Sequence, residues 1–151
     1  MNIFSRLFGN DDSKKALVRS EINIADAIIA HMQWKSRLQR YLDGVSTEEL
    51  DPMAICRDDQ CALGMWIHGP AANHFHGDAE FNTLRADHAQ FHYVASNVVH
   101  KVQQRDHATA LKIFNGEYAQ TSRKVIYALT ELNKNLEEER GATPTQLRPG
   151  Y

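Results

Sequence analysis

The sequence predicts an all-α fold, an antiparallel four-helix bundle with short helices and an irregular middle segment. Three observations carry that prediction. Apolar residues recur at intervals of three and four in three long stretches, the mark of amphipathic helices. No alternating apolar and polar run competes with them, and only four prolines interrupt a chain that is 42% hydrophobic. At 151 residues the chain is the size of one domain, long enough to bury a core without disulfide staples.

The elements follow in order. Residues 1–13 place Ile3, Phe4, Leu7 and Phe8 around Arg6, without the continuous apolar run and cleavage site of a secretory signal. This segment reads as a frayed terminus or a short amphipathic helical turn packed on the body, with a small apolar tag for a partner or membrane surface as the alternative. The first long helix is expected from Lys14 to about Asp43, with Leu17, Ile24, Ile28, His31, Leu38 and Leu42 on one face and Ser13 as its cap. The Asp43-Gly44 pair stops it, and Ser46 to Leu50 is read as a helical turn ahead of Asp51-Pro52.

From about Val45 to Asp78 the chain is irregular, holding Pro52, Gly64, Gly69, Pro70 and Gly77. Long irregular stretches in a compact domain carry function or need something to hold them. A second helix is expected from Glu80 to Gln104, its inner face marked by Phe81, Leu84, His88, Phe91, Ala95, Val98 and Val102. A third is expected from His107 to Glu139 through Leu111, Phe114, Tyr118, Val125, Leu129, Leu132 and Leu136, capped by Asp106. The bundle domain is thus placed at 14–140, and 141–151 reads as a disordered tail.

A formal net charge of -2 supplies no field that favours nucleic acid or an anionic membrane. No apolar stretch reaches the roughly 18 residues a membrane helix needs. The expected compartment is the cytoplasm, where thiols stay reduced, so Cys56 and Cys61 are read as free or metal-bound.

Eight histidines stand out in this composition. His31 lies on the apolar stripe of the first helix and His88 on that of the second. One inward histidine is ordinarily a hydrogen-bonded core residue. His92, however, follows His88 by four residues, which on a helix brings two imidazoles to nearly the same face. Cys61 then opens the run Cys61-Ala-Leu-Gly-Met-Trp66 in the irregular middle, where a tie between loop and bundle is most useful. Three imidazoles and a thiolate form a tetrahedral donor set matched to Zn2+, whose filled d shell imposes no geometry of its own.

These residues resemble the CZB domain, the chemoreceptor zinc-binding domain of bacterial signalling proteins. The match lies in His31-Met-Gln-Trp34, in Cys61-Ala-Leu63-Gly64-Met-Trp66 and in His88-Ala-Gln-Phe-His92. Twenty-six residues separate Trp34 from Cys61, and 21 separate Trp66 from His88, in agreement with the family's spacing. The resemblance implies that His31, Cys61, His88 and His92 are zinc ligands, and that Trp34, Leu63 and Trp66 pack around them. It implies a sensory or regulatory role, in chemotaxis or cyclic-di-GMP signalling, with zinc or an oxidant such as hypochlorous acid as the input. It also implies a homodimer and a signalling partner such as a chemoreceptor or diguanylate cyclase. No output module is recognised in the 151 residues, so the signal is expected to pass to another molecule.

Four protein donors close the coordination sphere, which argues against an enzyme, since catalytic zinc keeps a position open for water. Cys61 is the expected labile ligand, because oxidation weakens a sulfur–zinc bond. Cys56, five positions earlier, is outside the motif and is read either as incidental or as a resolving thiol. His68, His74 and His76 are read as loop residues, with a weak second metal site as the alternative. A hemerythrin-like di-iron bundle is the main rival, but it needs bridging carboxylates, and position 35, one turn after His31, is Lys. A plain zinc buffer is the other.

Overall fold

The computed structural model describes residues 12–147, with side chains for residues 12–137. Among them all regular structure is helical. The order is α1 (Asp12–Glu21), α2 (Ile24–Leu42), α3 (Pro52–Ile55), α4 (Ala62–His68), α5 (Pro70–Phe75), α6 (Ala79–Gln103), α7 (His107–Ile113), a π turn (Phe114–Tyr118) and α8 (Ala119–Leu147). The apolar terminal segment of the sequence analysis falls almost wholly outside the described residues.

Local chemistry accounts for the boundaries. The first long stretch is two helices rather than one, because Asn23 takes an extended conformation and its side chain accepts the Asp26 N–H at 3.0 Å. That break shifts the phase of the apolar stripe, so Val18 is buried while Leu17, expected inside, is exposed. Ser13 does not cap the first helix but lies within it; Asp12 stands at its start, where an anion complements the helix dipole. Gly44, at φ 75°, ends α2 where a side chain would be strained.

The expected helical turn at Ser46–Leu50 is absent. There the Ser46 hydroxyl accepts the Glu48 N–H at 3.1 Å, a local bond that competes with helix. Helix resumes only at Pro52, capped by the Asp51 carboxylate on the Met53 N–H. Asp106 caps α7 through the Thr109 N–H at 3.2 Å, as its position suggests. The expected third helix is interrupted by the π turn, whose wider winding leaves Leu111 exposed and Ala110 buried. Its last part runs to Leu147, beyond Gly141, where the sequence reading starts a tail.

Helices α2, α6 and α8 pack against one another in pairs. Only Gln104, Arg105 and Asp106 join α6 to α7, so the chain reverses and the two halves lie antiparallel. Phe91, Leu84, Leu38, Tyr118, Leu129, Leu132 and Leu136 fill the space between them. The short helices complete the bundle, α3 against α6, and α4 against both α2 and α5. They also bring the irregular middle segment onto the inner face where His31 and His88 lie.

Candidate metal centre

Each donor reaches the centre by a different local device. His31 sits on α2, where its Nδ1–H donates to the carbonyl of Ala27 one turn earlier, at 2.7 Å. His88 and His92 project from adjacent turns of α6, with ring centroids 4.6 Å apart. The His92 Nδ1–H donates at 2.9 Å to the carbonyl of Ile55, the last residue of α3. Cys61 is the N-cap of α4, its sulfur accepting the Gly64 N–H at 3.3 Å.

Gly64 makes that cap possible in this place. A Cβ there would collide with the backbone oxygen of Asp58, so the loop before Cys61 crosses α4 where only glycine fits. Trp66 and Leu63 are buried beside the loop, and the Trp66 indole N–H donates to Glu21 Oε1 at 3.0 Å. Trp34 is half-buried beneath the Arg37 guanidinium, 3.9 Å from its ring centroid.

The donor atoms of His31, Cys61, His88 and His92 all lie within 4.8 Å of one another. His88 Nε2 stands 3.1 Å from the Nε2 atoms of both His31 and His92. The Cys61 sulfur is 3.4 Å from His88 Nε2 and 3.6 Å from His92 Nε2. Tetrahedral zinc with ordinary bond lengths requires nitrogen–nitrogen edges of about 3.3 Å and nitrogen–sulfur edges of about 3.6 Å. Four of the six edges come close to these values, and the other two, from His31 to Cys61 and to His92, lie within 4.8 Å.

Protonation points the same way. A carbonyl only accepts, so in neutral His31 and His92 the proton is on Nδ1 and the Nε2 lone pair faces the centre. Burial, the largest influence, lowers the pKa of all three histidines, that of His88 to about 2. Burial likewise raises that of the Cys61 thiol, although the Gly64 and Leu63 N–H groups oppose it. Neutral imidazoles are what a metal needs, and a nearby cation favours the thiolate. His88 Nδ1 is buried without a hydrogen-bond partner.

Residues 31–99 match the family model of the chemoreceptor zinc-binding domain. This segment is similar to the CZB domain. Comparisons with curated proteins and with solved structures return no match. The CZB segment contains all four clustered donors, and a zinc-binding signalling domain fits their chemistry. Among the described residues no carboxylate joins the group, in contrast to what a di-iron centre requires. Among the described residues no helix is long and apolar enough to cross a membrane.

The other histidines do not converge. His68 pairs with Asp58 at 2.8 Å and His74 with Glu21 at 2.9 Å, while His76 is exposed. No second metal group forms among the described residues. Cys56 is free, and its thiol donates to the Met53 carbonyl at 3.2 Å.

Sequence reasoning missed the two carbonyls that orient the imidazoles. Ala27 was accessible to it, since any buried helical histidine has the carbonyl four residues back within reach. Ile55 had no sequence signal, because its bond to His92 spans 37 positions. Glu21 was missed for the same reason: its partners Trp66 and His74 are 45 and 53 positions away.

Proposed function

We propose that His31, Cys61, His88 and His92 hold one zinc ion, and that the chain is a sensory or regulatory protein of bacterial signalling. In this reading it works in the cytoplasm, in a chemotaxis or cyclic-di-GMP pathway. It responds to zinc availability, to an oxidant such as hypochlorous acid, or to both. Its output is a packing change read by a partner in trans, such as a chemoreceptor or diguanylate cyclase, and the active form is a homodimer.

The observation that carries the reading is the convergence of four donors within 4.8 Å of one another, with two imidazoles locked by backbone carbonyls. Bound zinc would supply structural cross-linking of α2, α4 and α6, and would favour the Cys61 thiolate. Four protein donors leave no position for a reacting water, so the role is not that of a hydrolase.

Cys61 is the labile donor. An open recess of about 350 Å³, lined by Trp34, Arg37, Ile55, Arg57, Cys61 and His92, leads from solvent to the sulfur. A thiolate and hypochlorous acid give a sulfenic acid and chloride, the sulfur losing two electrons and the chlorine gaining them. The sulfenic acid is a poorer donor, which frees α4 to move against α2 and α6.

Metal content by mass spectrometry tests this, on wild type and Cys61→Ala, before and after mild oxidant. The expected result is one zinc per chain in wild type, lost on oxidation and largely lost in the variant. Full zinc retention by Cys61→Ala, or by the oxidised wild type, would contradict the proposal. Zinc binding without any metal-dependent partner in a pull-down would reduce the protein to a buffer.

A further inference from the structure

A second polar recess lies where α2, the π turn and the start of α8 meet. It measures about 170 Å³ and is lined by Lys35, Phe114, Asn115, Tyr118, Ser122 and Arg123. The π turn builds one wall: Phe114 and Tyr118, at its two ends, stack with ring centroids 5.4 Å apart and planes 12° from parallel. Such turns occur often at functional sites.

Every ionisable or polar group lining this recess can donate a hydrogen bond: an ammonium, a guanidinium, a carboxamide and two hydroxyls. Among the described residues no carboxylate lines it, and none forms an ion pair with Lys35 or Arg123. Two like charges are thus held near one another on a chain whose net charge is -2. The Tyr118 hydroxyl is the decisive group. Tyr118 is 1% exposed, and its hydroxyl, with the Ser122 hydroxyl beside it, makes no hydrogen bond of good geometry. A buried hydroxyl without a good hydrogen bond costs free energy that a bound acceptor would recover.

We propose that the recess between Lys35, the π turn and Arg123 is a binding site for a small oxyanion. The acceptor oxygens accept hydrogen bonds from Tyr118, Ser122 and Asn115, and the charge is balanced by Lys35 and Arg123. Burial pushes the Tyr118 phenol up, so it keeps its proton and remains a donor at neutral pH. Phe91 touches Tyr118 on one side, with centroids 5.4 Å apart, and His31 and His92 on the other, at 5.2 and 5.5 Å. One ring therefore separates the anion site from the metal centre, although anion binding does not depend on the zinc reading.

Calorimetry of the full chain tests the site, with inorganic phosphate and succinate titrated separately so that tetrahedral and carboxylate oxyanions are distinguished. We expect at least one to bind with one-to-one stoichiometry. The double variant Lys35→Gln with Arg123→Gln, both exposed positions, weakens that binding by about tenfold or more. Tyr118→Phe, which keeps the ring, weakens it by a similar factor, and circular dichroism verifies its fold. If that variant does not fold, the double variant carries the test. Absence of binding tighter than about 1 mM for both anions overturns the proposal. So does unchanged affinity in the double variant, which would place the anion elsewhere.

Discussion

His31 Nε2 and His88 Nε2 stand 3.1 Å apart, their rings inclined at 66°, although 57 positions separate them in the chain. Because the His31 proton is engaged by Ala27, its inward nitrogen carries a lone pair. The metal-free protein therefore buries an electron-rich cluster of neutral rings.

That cluster makes the metal-free protein acid-sensitive. The folded-state pKa values of His31, His88 and His92 lie below the ordinary histidine value, so below about pH 6.5 the unfolded chain binds more protons. Stability is present above that value and is lost as pH falls, for His88 down to about 2. Each histidine contributes a slope of up to about 1.4 kcal/mol per pH unit. The raised Cys61 value acts at the alkaline end, where stability declines above the ordinary thiol range. Urea midpoints of chelator-treated protein at pH 8, 6.5 and 5 should fall in that order.

Zinc should raise the melting temperature. At free zinc a hundred times Kd, linkage contributes about 2.7 kcal/mol, equivalent to about 5–10 °C for a domain of this size. Acid competes for the same nitrogens, so zinc titrations should show affinity falling toward pH 5. His31→Ala, His88→Ala or Cys61→Ala should each abolish most of the shift, as read by melts with and without metal.

Substituting Gly64→Ala should disrupt the metal loop. The new methyl meets the Asp58 backbone, which cannot rotate away, and overpacking of this kind costs about 1–3 kcal/mol. The Cys61 cap would shift with it, so zinc content should fall together with the urea midpoint.

Glu21→Ala should destabilise the protein by about 1–3 kcal/mol, because it leaves the buried Trp66 indole N–H without an acceptor and removes the His74 contact. Glu21→Gln retains one carbonyl acceptor and should lose less. Denaturation followed by tryptophan fluorescence distinguishes the two.

The helical class, the Asp43-Gly44 stop, the Asp106 cap and the His88–His92 pair could be read from residue order, because each depends on neighbours within about one turn. Membership of His31 and Cys61 in the same set needed the family's spacing, since nothing local links them. The break at Asn23 escaped the reading although its capping bond spans three positions, because the apolar period continues through it. The π turn escaped for the same reason: Phe114 and Tyr118 keep helical spacing on either side of the slip.

By itself, residue order determined the helix-forming stretches and the types of donor available. Those properties follow from local backbone preference and side-chain chemistry. Only the tertiary structure decided that the four donors meet within 4.8 Å of one another, that Ile55 fixes the His92 tautomer, that Glu21 ties α1 to α4 and α5, and that the Tyr118 hydroxyl is buried. These relationships join groups whose separation in space is set by packing the long helices together, and no periodicity along one helix encodes the contacts of another.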